Sequence, residues 1–137
     1  METLGQHLIV EFHGCEPEAL NNLEFLEQSF GKAALATGAT IVGKSFRTFS
    51  PQGVSGVVVV EESHLTVHTW PEKGYAAVDI YTCGDCDPQK AIPVLQKDLK
   101  AHRVETVTLQ RGVEVRNWET DHSISQVNHT INSFIER

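Results

Sequence analysis

Residues 57–84 read VVVVEESHLTVHTWPEKGYAAVDIYTCG, and this stretch gives the strongest indication of the fold. One apolar run covers residues 57–60, and a second covers residues 65–70. Runs that are rich in β-branched residues and bounded by polar residues are typical of strands. Glu62 and Ser63 therefore lie where one predicted strand ends and the next begins.

A hairpin is predicted after the second run, because PEKG is a turn signal between two strand-like segments. If the hairpin closes with Trp70 opposite Tyr75, antiparallel pairing places Cys83 opposite Glu62. Side chains on one face repeat every second residue, so Cys83 and His68 point the same way. A one-residue slip would move Cys83 to the other face. The register therefore predicts a thiol beside the peptide bond that follows Glu62.

The rest of the chain alternates between strand-like and helix-like patterns. Further strands are predicted at residues 8–12, 40–49, 54–60 and 104–109. Helices are predicted after the capping residues Asn22 and Asp87. Their apolar stripes are Leu23, Leu26, Phe30, Ala33 and Ala34 in the first helix and Ile92, Leu95 and Leu99 in the second. The expected fold class is α+β, an antiparallel β-sheet with helices on one face as a two-layer sandwich, whose bare face suits a symmetric dimer.

Length and composition fit a single small domain. The chain has 137 residues and a net charge of −7, and its 11 Lys and Arg residues form no cluster. Nucleic acid and anionic membranes are therefore not expected as partners. No signal peptide or long apolar span is recognised, and the 3 cysteines fit a reducing, cytoplasmic location.

Ser63 offers a specific reaction at the junction of the two strands. Its hydroxyl can attack the Glu62 carbonyl and turn the peptide bond into an ester. Removal of the Ser63 α-proton then eliminates the ester, and hydrolysis leaves a pyruvoyl group, a carbonyl cofactor that serves as an electron sink. Ser63 and His68 have opposite parity on a straight strand. If His68 is the base, a bend or bulge is expected at residues 62–64.

The segment at residues 63–84 resembles the small bacterial S-adenosylmethionine decarboxylases, the pyruvoyl enzymes of spermidine synthesis. The stretch FSPQGVSG at residues 49–56 and the opening at residues 5–15 are similar to them too, so that the resemblance covers residues 3–112. It implies S-adenosylmethionine as the substrate and a proenzyme that cleaves itself between Glu62 and Ser63.

The same resemblance implies two products of cleavage, a beta chain of residues 1–62 and an alpha chain of residues 63–137. It also implies a homodimer of processed protomers, with two alpha and two beta chains, in which active-site residues are shared across the interface. The decarboxylase domain is expected at residues 1–116. Residues 117–137 are expected to be a C-terminal tail or a short docking helix, with Ile124, Val127, Ile131 and Phe134 at near-helical spacing.

The chemistry and the resemblance agree on four catalytic residues. Ser63 is the pyruvoyl precursor and Schiff-base position, and His68 is the proton acceptor in processing. Cys83 is the proton donor in catalysis, because a thiol is mainly protonated at pH 7. Ser55 is expected to hydrogen-bond the oxyanion formed at Glu62. Without the similar segment around them, these residues also allow a non-catalytic interpretation. His68 could be a structural histidine of a strand, Cys83 a small buried side chain and Ser55 a turn residue.

Three residues match substrate-binding positions of the family, namely Phe49, Trp70 and Glu72. Adenine has flat apolar faces that suit aromatic rings, a sulfonium gains from an aromatic face, and ribose hydroxyls suit a carboxylate. In the alternative interpretation, the two rings belong to the core and the carboxylate only solvates a turn. The alternative functions are pyruvoyl-dependent decarboxylation of arginine or ornithine on the same scaffold, or a non-enzymatic dimeric binding module.

Cys83 and Cys86 have the C-x-x-C spacing of many zinc and redox sites. Cys15 is the remaining cysteine, and a structural zinc ion needs four ligands. No metal is therefore expected, and the covalent pyruvoyl group is the one cofactor that the sequence indicates.

Overall fold

The computed structural model describes residues 3–113, which form a six-stranded antiparallel sheet with its helices on one face. The strands are β1 (Gly5–His13), β2 (Ile41–Thr48), β3 (Val54–Val60), β4 (Ser63–Trp70), β5 (Tyr75–Cys83) and β6 (Arg103–Arg111), in the spatial order β2-β3-β4-β5-β1-β6. The helices are α1 (Pro17–Leu20), α2 (Leu23–Ala36) and α3 (Ala91–Leu99). Short 3₁₀ turns cover Pro71–Lys73 and Pro88–Lys90.

The core lies between one face of the sheet and the helices. Alternate strand residues are completely buried there because successive side chains point to opposite faces. They include Leu8, Val10 and Phe12 of β1, Leu65 and Val67 of β4, and Ile80 of β5. On the helix side of the core, the buried side chains include Leu26 and Phe30 of α2 and Leu95 and Leu99 of α3. Each such side chain stabilises the fold by about 1.5–3 kcal/mol relative to an exposed one.

Helix α2 begins where the sequence predicts. The Asn22 side chain accepts a hydrogen bond from the Phe25 amide at 3.1 Å, which satisfies one of the free donors of the first turn. Four residues of the predicted stripe are buried, namely Leu26, Phe30, Ala33 and Ala34. Gly38 follows the helix with φ +94, a conformation in which the chain leaves the helix without the penalty of a side chain.

The second predicted helix starts later than its cap. Asp87 accepts a hydrogen bond from the Gln89 amide at 3.0 Å, but the first turn is 3₁₀ and α3 proper begins at Ala91. Leu95 and Leu99 are buried as predicted, and Ile92 is half-buried. The sequence analysis did not predict α1, because a four-residue helix is too short to show a periodicity.

The α+β class and the two-layer arrangement are confirmed. The second face of the sheet, called here the open face, is covered by no element among residues 3–113. Among these residues, no helix combines the length and the apolar composition that crossing a membrane requires. The predicted tail at residues 117–137 and the domain boundary at residue 116 lie outside the described residues.

Candidate active site

The β4–β5 hairpin has the register predicted from the sequence. Trp70 pairs with Tyr75, and His68 pairs with Ala77. At the other end of the hairpin, the Cys83 thiol donates a hydrogen bond to the carbonyl oxygen of Glu62, with 3.4 Å between sulfur and oxygen. The thiol is therefore in contact with the peptide group that joins Glu62 to Ser63.

A two-residue turn precedes this peptide bond. Val60 of β3 pairs with Ser63 of β4, so that Glu61 and Glu62 alone connect the strands. Glu62 has φ +66, in the left-handed region. A residue with a side chain pays about 1–2 kcal/mol to adopt it. The bond at which cleavage is predicted is therefore attached to a strained residue. The bend expected at residues 62–64 is not found within β4, because the chain turns at Glu61 and Glu62, before the strand begins.

The turn does not bring the Ser63 and His68 side chains to the same face of the sheet. Pairing between β3 and β4 is regular from Ser63 to His68, so these two residues stay on opposite faces. The Ser63 hydroxyl oxygen is buried on the helix side and has no hydrogen-bond partner among the described residues. The His68 side chain is exposed on the open face.

Cys83 is surrounded by polar and aromatic groups that the sequence analysis did not select. The ring of Tyr81 lies 5.7 Å from the ring of His64, and the Arg111 guanidinium lies 5.0 Å above the Tyr81 ring. Burial, and after it a hydrogen bond with Cys83, raises the pKa of the Tyr81 hydroxyl. Tyr81 is two residues before Cys83 on β5, so that the two-residue period would have placed both on one face.

Gly5 of β1 leaves room for this thiol. It pairs with Cys83, and a Cβ atom at residue 5 would lie 3.2 Å from the cysteine sulfur and 2.7 Å from the Thr82 carbonyl oxygen. Any side chain at this place would displace strand β5 or the thiol. The glycine therefore allows β1 to pack closely beside Cys83.

His68 and Ser55 form a second polar group at the other end of β4. They pair directly across β3 and β4, and the Ser55 Oγ atom lies 2.7 Å from His68 Nδ1. This hydrogen bond fixes the plane of the imidazole ring. Because it uses Nδ1, Nε2 is the ring atom that is left for proton transfer.

The predicted aromatic residues lie at this same end. Trp70 is 39% exposed and stacks on Tyr75 with 5.3 Å between ring centroids. Tyr75 stacks in turn on His13 at 5.5 Å, and its hydroxyl donates a hydrogen bond to the Glu11 carboxylate. Burial, followed by the hydrogen bond and the charge of Glu11, raises the pKa of Tyr75 to about 12. Tyr75 is therefore a fixed, neutral support for the Trp70 indole.

Phe49 and Glu72 complete this end of the sheet. Phe49 directly follows β2, and its side chain is 52% exposed. Its backbone amide donates a hydrogen bond to the Gly53 carbonyl oxygen at 2.9 Å. Glu72 is exposed in the 3₁₀ turn that follows Trp70. Both lie in loops beside the His68 end of β4, so that neither aromatic candidate, Phe49 or Trp70, is a core residue.

The candidate site residues therefore fall into two groups. The first, called the cleavage end, consists of Glu62, Ser63 and Cys83. The second, called the aromatic end, consists of Phe49, Ser55, His68, Trp70 and Glu72. His68 is five positions after Ser63 along the strand, which corresponds to about 16 Å between their Cα atoms. One protomer thus brings Cys83 to the Glu62–Ser63 bond, but it does not bring His68 or Ser55 there.

The cysteines occur as free thiols. Cys15 is buried, and Cys83 and Cys86 are half-buried. Burial raises the pKa of Cys15 to about 11, so this thiol stays neutral. Within residues 3–113, no cluster of three or more His, Cys, Asp or Glu residues is arranged to hold a metal ion.

Known proteins resemble this chain over most of its length. The family model described as S-adenosylmethionine decarboxylase matches residues 6–112. The S-adenosylmethionine decarboxylase proenzyme of Thermosipho melanesiensis is 58% identical over 113 residues, which is 82% of this chain and 87% of the relative. The proenzyme of Thermotoga maritima is 56% identical over the same shares of the two chains.

A solved structure has the same fold. The crystal structure of the adenosylmethionine decarboxylase from Aquifex aeolicus matches with a TM-score of 0.74 at 30% identity, over 82% of this chain and 93% of the other. A match of this extent, together with the matching family model, leaves one assignment. The chain belongs to the S-adenosylmethionine decarboxylase family.

Proposed function

We propose that this chain is a proenzyme that cleaves itself between Glu62 and Ser63 and then decarboxylates S-adenosylmethionine. The product would be the decarboxylated aminopropyl donor used for spermidine synthesis. The single observation that carries the proposal is the contact of the Cys83 thiol with the Glu62 carbonyl, at a strained turn that ends in a buried serine. Family membership supplies the substrate class.

The first step of cleavage is an acyl shift from nitrogen to oxygen. The Ser63 oxygen bonds to the Glu62 carbonyl carbon, the carbon–nitrogen bond breaks, and the hydroxyl proton passes to the freed amine. Negative charge develops on the Glu62 oxygen during the attack. The Cys83 hydrogen bond is aimed at that oxygen and stabilises the charge, as an oxyanion-hole donor does. Release of the left-handed conformation of Glu62 favours the same step.

The second step needs a base at the Ser63 α-proton. His68 is the candidate, yet about 16 Å of strand separates it from Ser63 within a protomer. We therefore propose that two protomers pack their open faces together with opposite strand directions. A two-fold axis between the two sheets, perpendicular to the strands and level with the middle of β4, would bring the partner's His68 and the partner's Ser55 to the cleavage end. The open face carries Val59 and Val107, which are 42% and 47% exposed and would be buried in this way.

The residues at the cleavage end fit a pyruvoyl group formed from Ser63. The Ser63 hydroxyl is buried without a partner, and its conversion removes this unsatisfied group. When formed, the pyruvoyl group supplies the carbonyl that accepts the electrons of decarboxylation. Cys83 then donates a proton to the substrate α-carbon from the sulfur that had bonded the Glu62 carbonyl.

The aromatic end binds the nucleoside part of the substrate. Trp70, held by its stack on Tyr75, offers an exposed ring face to adenine or to the sulfonium. Phe49 offers a second exposed ring, and the Glu72 carboxylate can accept hydrogen bonds from the ribose hydroxyls. Arginine and ornithine lack the flat adenine that two exposed rings can stack on, so the aromatic end favours S-adenosylmethionine.

Intact-mass analysis and a substrate panel test the proposal together. The purified protein is expected to contain fragments 1–62 and 63–137, with a pyruvoyl group at residue 63. It is expected to release carbon dioxide from S-adenosylmethionine, but not from arginine or ornithine. A stable single chain without activity would identify a binding module. Release from arginine or ornithine alone would assign the other decarboxylase class.

A mixed dimer tests the shared site. A Ser63→Ala chain and a His68→Ala chain are co-expressed with different tags, and the mixed species is purified on both. One of its two sites then combines an intact Ser63 with the partner's His68. The His68→Ala chain is expected to be cleaved in the mixed dimer and to stay whole in its own homodimer. If it stays whole in both, the base does not come from the partner.

A further inference from the structure

Two hydroxyl groups stand out in the buried part of the structure. Ser63 Oγ and Thr82 Oγ1 are the buried side-chain polar atoms without a hydrogen-bond partner among residues 3–113. Thr82 is only 2% exposed. Buried hydroxyls are almost always paired in folded proteins, because an unpaired one loses its hydration without compensation. Each of these two therefore calls for a physical explanation.

The two hydroxyls belong to neighbouring positions of the sheet. His64 of β4 pairs with Tyr81 of β5, so that the next step of the antiparallel register places Ser63 opposite Thr82. The contact from Cys83 to Glu62 is the following step of the same register. Both hydroxyls lie on the helix side of the sheet, and directly opposed side chains have their Cβ atoms about 4.5–5.5 Å apart.

The Glu62–Ser63 peptide group is thus flanked by a different polar side chain on each side of the sheet. Cys83 approaches the Glu62 carbonyl oxygen from β5 on the open face. Ser63 must attack the carbonyl carbon with an oxygen that lies on the helix side. Thr82 is the residue that the register sets beside that oxygen.

We propose that Thr82 is a positioning residue for self-cleavage, whose hydroxyl holds the Ser63 hydroxyl in the orientation from which it attacks Glu62. The two groups are not bonded to each other in the resting chain. We infer that the serine rotates between staggered rotamers to bring its oxygen within hydrogen-bonding distance of Thr82 Oγ1. This inference rests on the proposed function and adds a residue to its first step.

Thr82 undergoes no net chemical change in this step. The Ser63 oxygen forms the ester bond to the Glu62 carbon, the peptide carbon–nitrogen bond breaks, and the hydroxyl proton ends on the Ser63 amine. The Thr82 hydroxyl accepts a hydrogen bond from Ser63 before the attack. After processing, the Ser63 oxygen has left with the Glu62 carboxylate, so Thr82 has no part in turnover.

A purely structural role predicts a different pattern. A buried threonine in the middle of a sheet could serve only to fill space, and valine has nearly the same shape and a higher preference for strands. Replacing an unpaired buried hydroxyl by a methyl group is neutral or stabilising. Thr82→Val is therefore expected to keep or raise Tm, while a processing role requires slower cleavage.

The test compares cleavage rates of full-length chains made by cell-free synthesis and followed by intact mass. Thr82→Val is expected to slow the appearance of fragments 1–62 and 63–137 about tenfold, the size of one neutral hydrogen bond in a transition state. Thr82→Ser keeps the hydroxyl and is expected to cleave at nearly the wild-type rate. Thr108→Val on β6 makes the same chemical change away from Ser63 and serves as the control. Turnover per pyruvoyl group is expected to be unchanged in each processed variant.

Each outcome decides the matter. Wild-type cleavage in Thr82→Val, or equally slow cleavage in Thr82→Val and Thr82→Ser, would overturn the inference while leaving the proposed function intact. If Thr82→Val does not fold, Thr82→Ala and Thr82→Ser replace it as the pair, and equal rates in that pair would again overturn the inference. A wild-type chain that stays whole would instead refute the proposed function.

Discussion

The two ends of strand β4 have different surroundings although they belong to one regular strand. At the cleavage end, Glu62 is held in a tight turn, Ser63 and Cys83 are half-buried, and the thiol contacts the Glu62 carbonyl. At the aromatic end, His68 is exposed and Trp70 is 39% exposed, and both are oriented by neighbours, Ser55 and Tyr75. We expect the cleavage end to form the cofactor and the aromatic end to receive the substrate.

If His68 acts on Ser63, this separation means that one folded protomer does not hold a complete site. Both ends are fixed by the same β4–β5 register, so they cannot move toward each other without breaking the sheet. A second copy packed with its strands reversed would bring them together, because a two-fold axis between the sheets places each end of β4 against the other end of the partner's strand. The predictions below test each end separately and then the layer behind them.

The largest effect is expected at the nucleophile. Ser63→Ala removes the oxygen that attacks Glu62, so the chain is expected to stay at full length and to have no decarboxylase activity. Intact mass and carbon dioxide release are the measurements. Ser45→Ala, at an exposed serine of β2, is the control and is expected to be cleaved normally. Cleavage of Ser63→Ala at the same bond would exclude the acyl shift.

The next effect is expected at the aromatic end. His68→Ala removes the base, so ester formation proceeds but elimination slows by about 10²- to 10⁴-fold. Hydroxylamine is expected to split the accumulated ester and release fragments without a pyruvoyl group. His102→Ala, at an exposed histidine, serves for comparison. Normal processing of His68→Ala would show that the two ends do not cooperate in cleavage.

Cys83 connects cleavage with turnover. Cys83→Ala loses the hydrogen bond to the Glu62 carbonyl, so that processing is expected to slow. The processed fraction is expected to turn over slowly and to accumulate alanine at residue 63, because protonation then occurs on the wrong carbon. Mass spectrometry of fragment 63–137 after exposure to substrate measures both forms. Cys86→Ala keeps Cys83 and is the matched control; a Cys83→Ala enzyme with wild-type turnover and intact pyruvoyl would assign the proton to another group.

Substrate binding at the aromatic end is expected to change by a smaller factor. Trp70→Ala removes an aromatic contact worth about 1–2 kcal/mol, which corresponds to a rise in KM of roughly five- to thirtyfold. Glu72→Gln is expected to raise KM for S-adenosylmethionine as well, and neither change is expected to alter cleavage. Glu24→Gln on α2 is the control for the loss of a carboxylate. Unchanged KM in both variants would place the substrate elsewhere.

The smallest effect is expected in the helix layer. Asp98 of α3 accepts hydrogen bonds from Ser29 at 2.7 Å and from Lys32 at 2.9 Å, both on α2. Burial acts to raise the pKa of Asp98, but these two partners outweigh it, so that the pKa is lowered in the folded chain. Asp98→Asn is expected to reduce the free energy of unfolding by about 1–3 kcal/mol near pH 7.

The pH dependence follows from the sign of this shift. A carboxyl group whose pKa is lowered by folding stabilises the protein above its unfolded pKa and loses that contribution as the pH falls through the folded pKa. The difference in stability between the wild-type chain and Asp98→Asn is therefore expected to be constant near neutrality and to shrink below about pH 4. A stability difference that persists at low pH would contradict the lowered pKa of Asp98. Slower cleavage of Asp98→Asn would show that the helix layer affects the chemistry at β4.

Local pattern was sufficient for much of the fold. The hairpin register from Trp70 and Tyr75, the Asn22 cap and strand β3 agree with the structure, because each depends on neighbours within a few residues. The late start of α3 and the single turn of α1 were not recognised. Both depend on how a short segment packs beneath the sheet, and four residues carry no period.

The candidate site was predicted as a set of residues but not as an arrangement. The sequence placed Cys83 beside Glu62, and it placed His68 on the same face as Cys83. On a straight strand, the numbering places Ser63 and His68 on opposite faces, and a bend was expected to bring them to one face. The structure has the bend in the Glu61–Glu62 turn, outside β4, so the parity remains and so does the separation along the strand.

What the sequence determined by itself is the pairing of adjacent segments. The Glu62–Ser63 junction and the hairpin beside it can be read from spacing, whereas the acid and the base stay predictions that rest on spacing and resemblance. Only the tertiary structure decided which groups are buried, that β1 lies between β5 and β6, and that the site residues occupy both ends of one strand. The physical reason is that contacts between distant segments depend on the packing of the whole sheet against its helices, and a periodic pattern records which face a residue takes but not what it meets there.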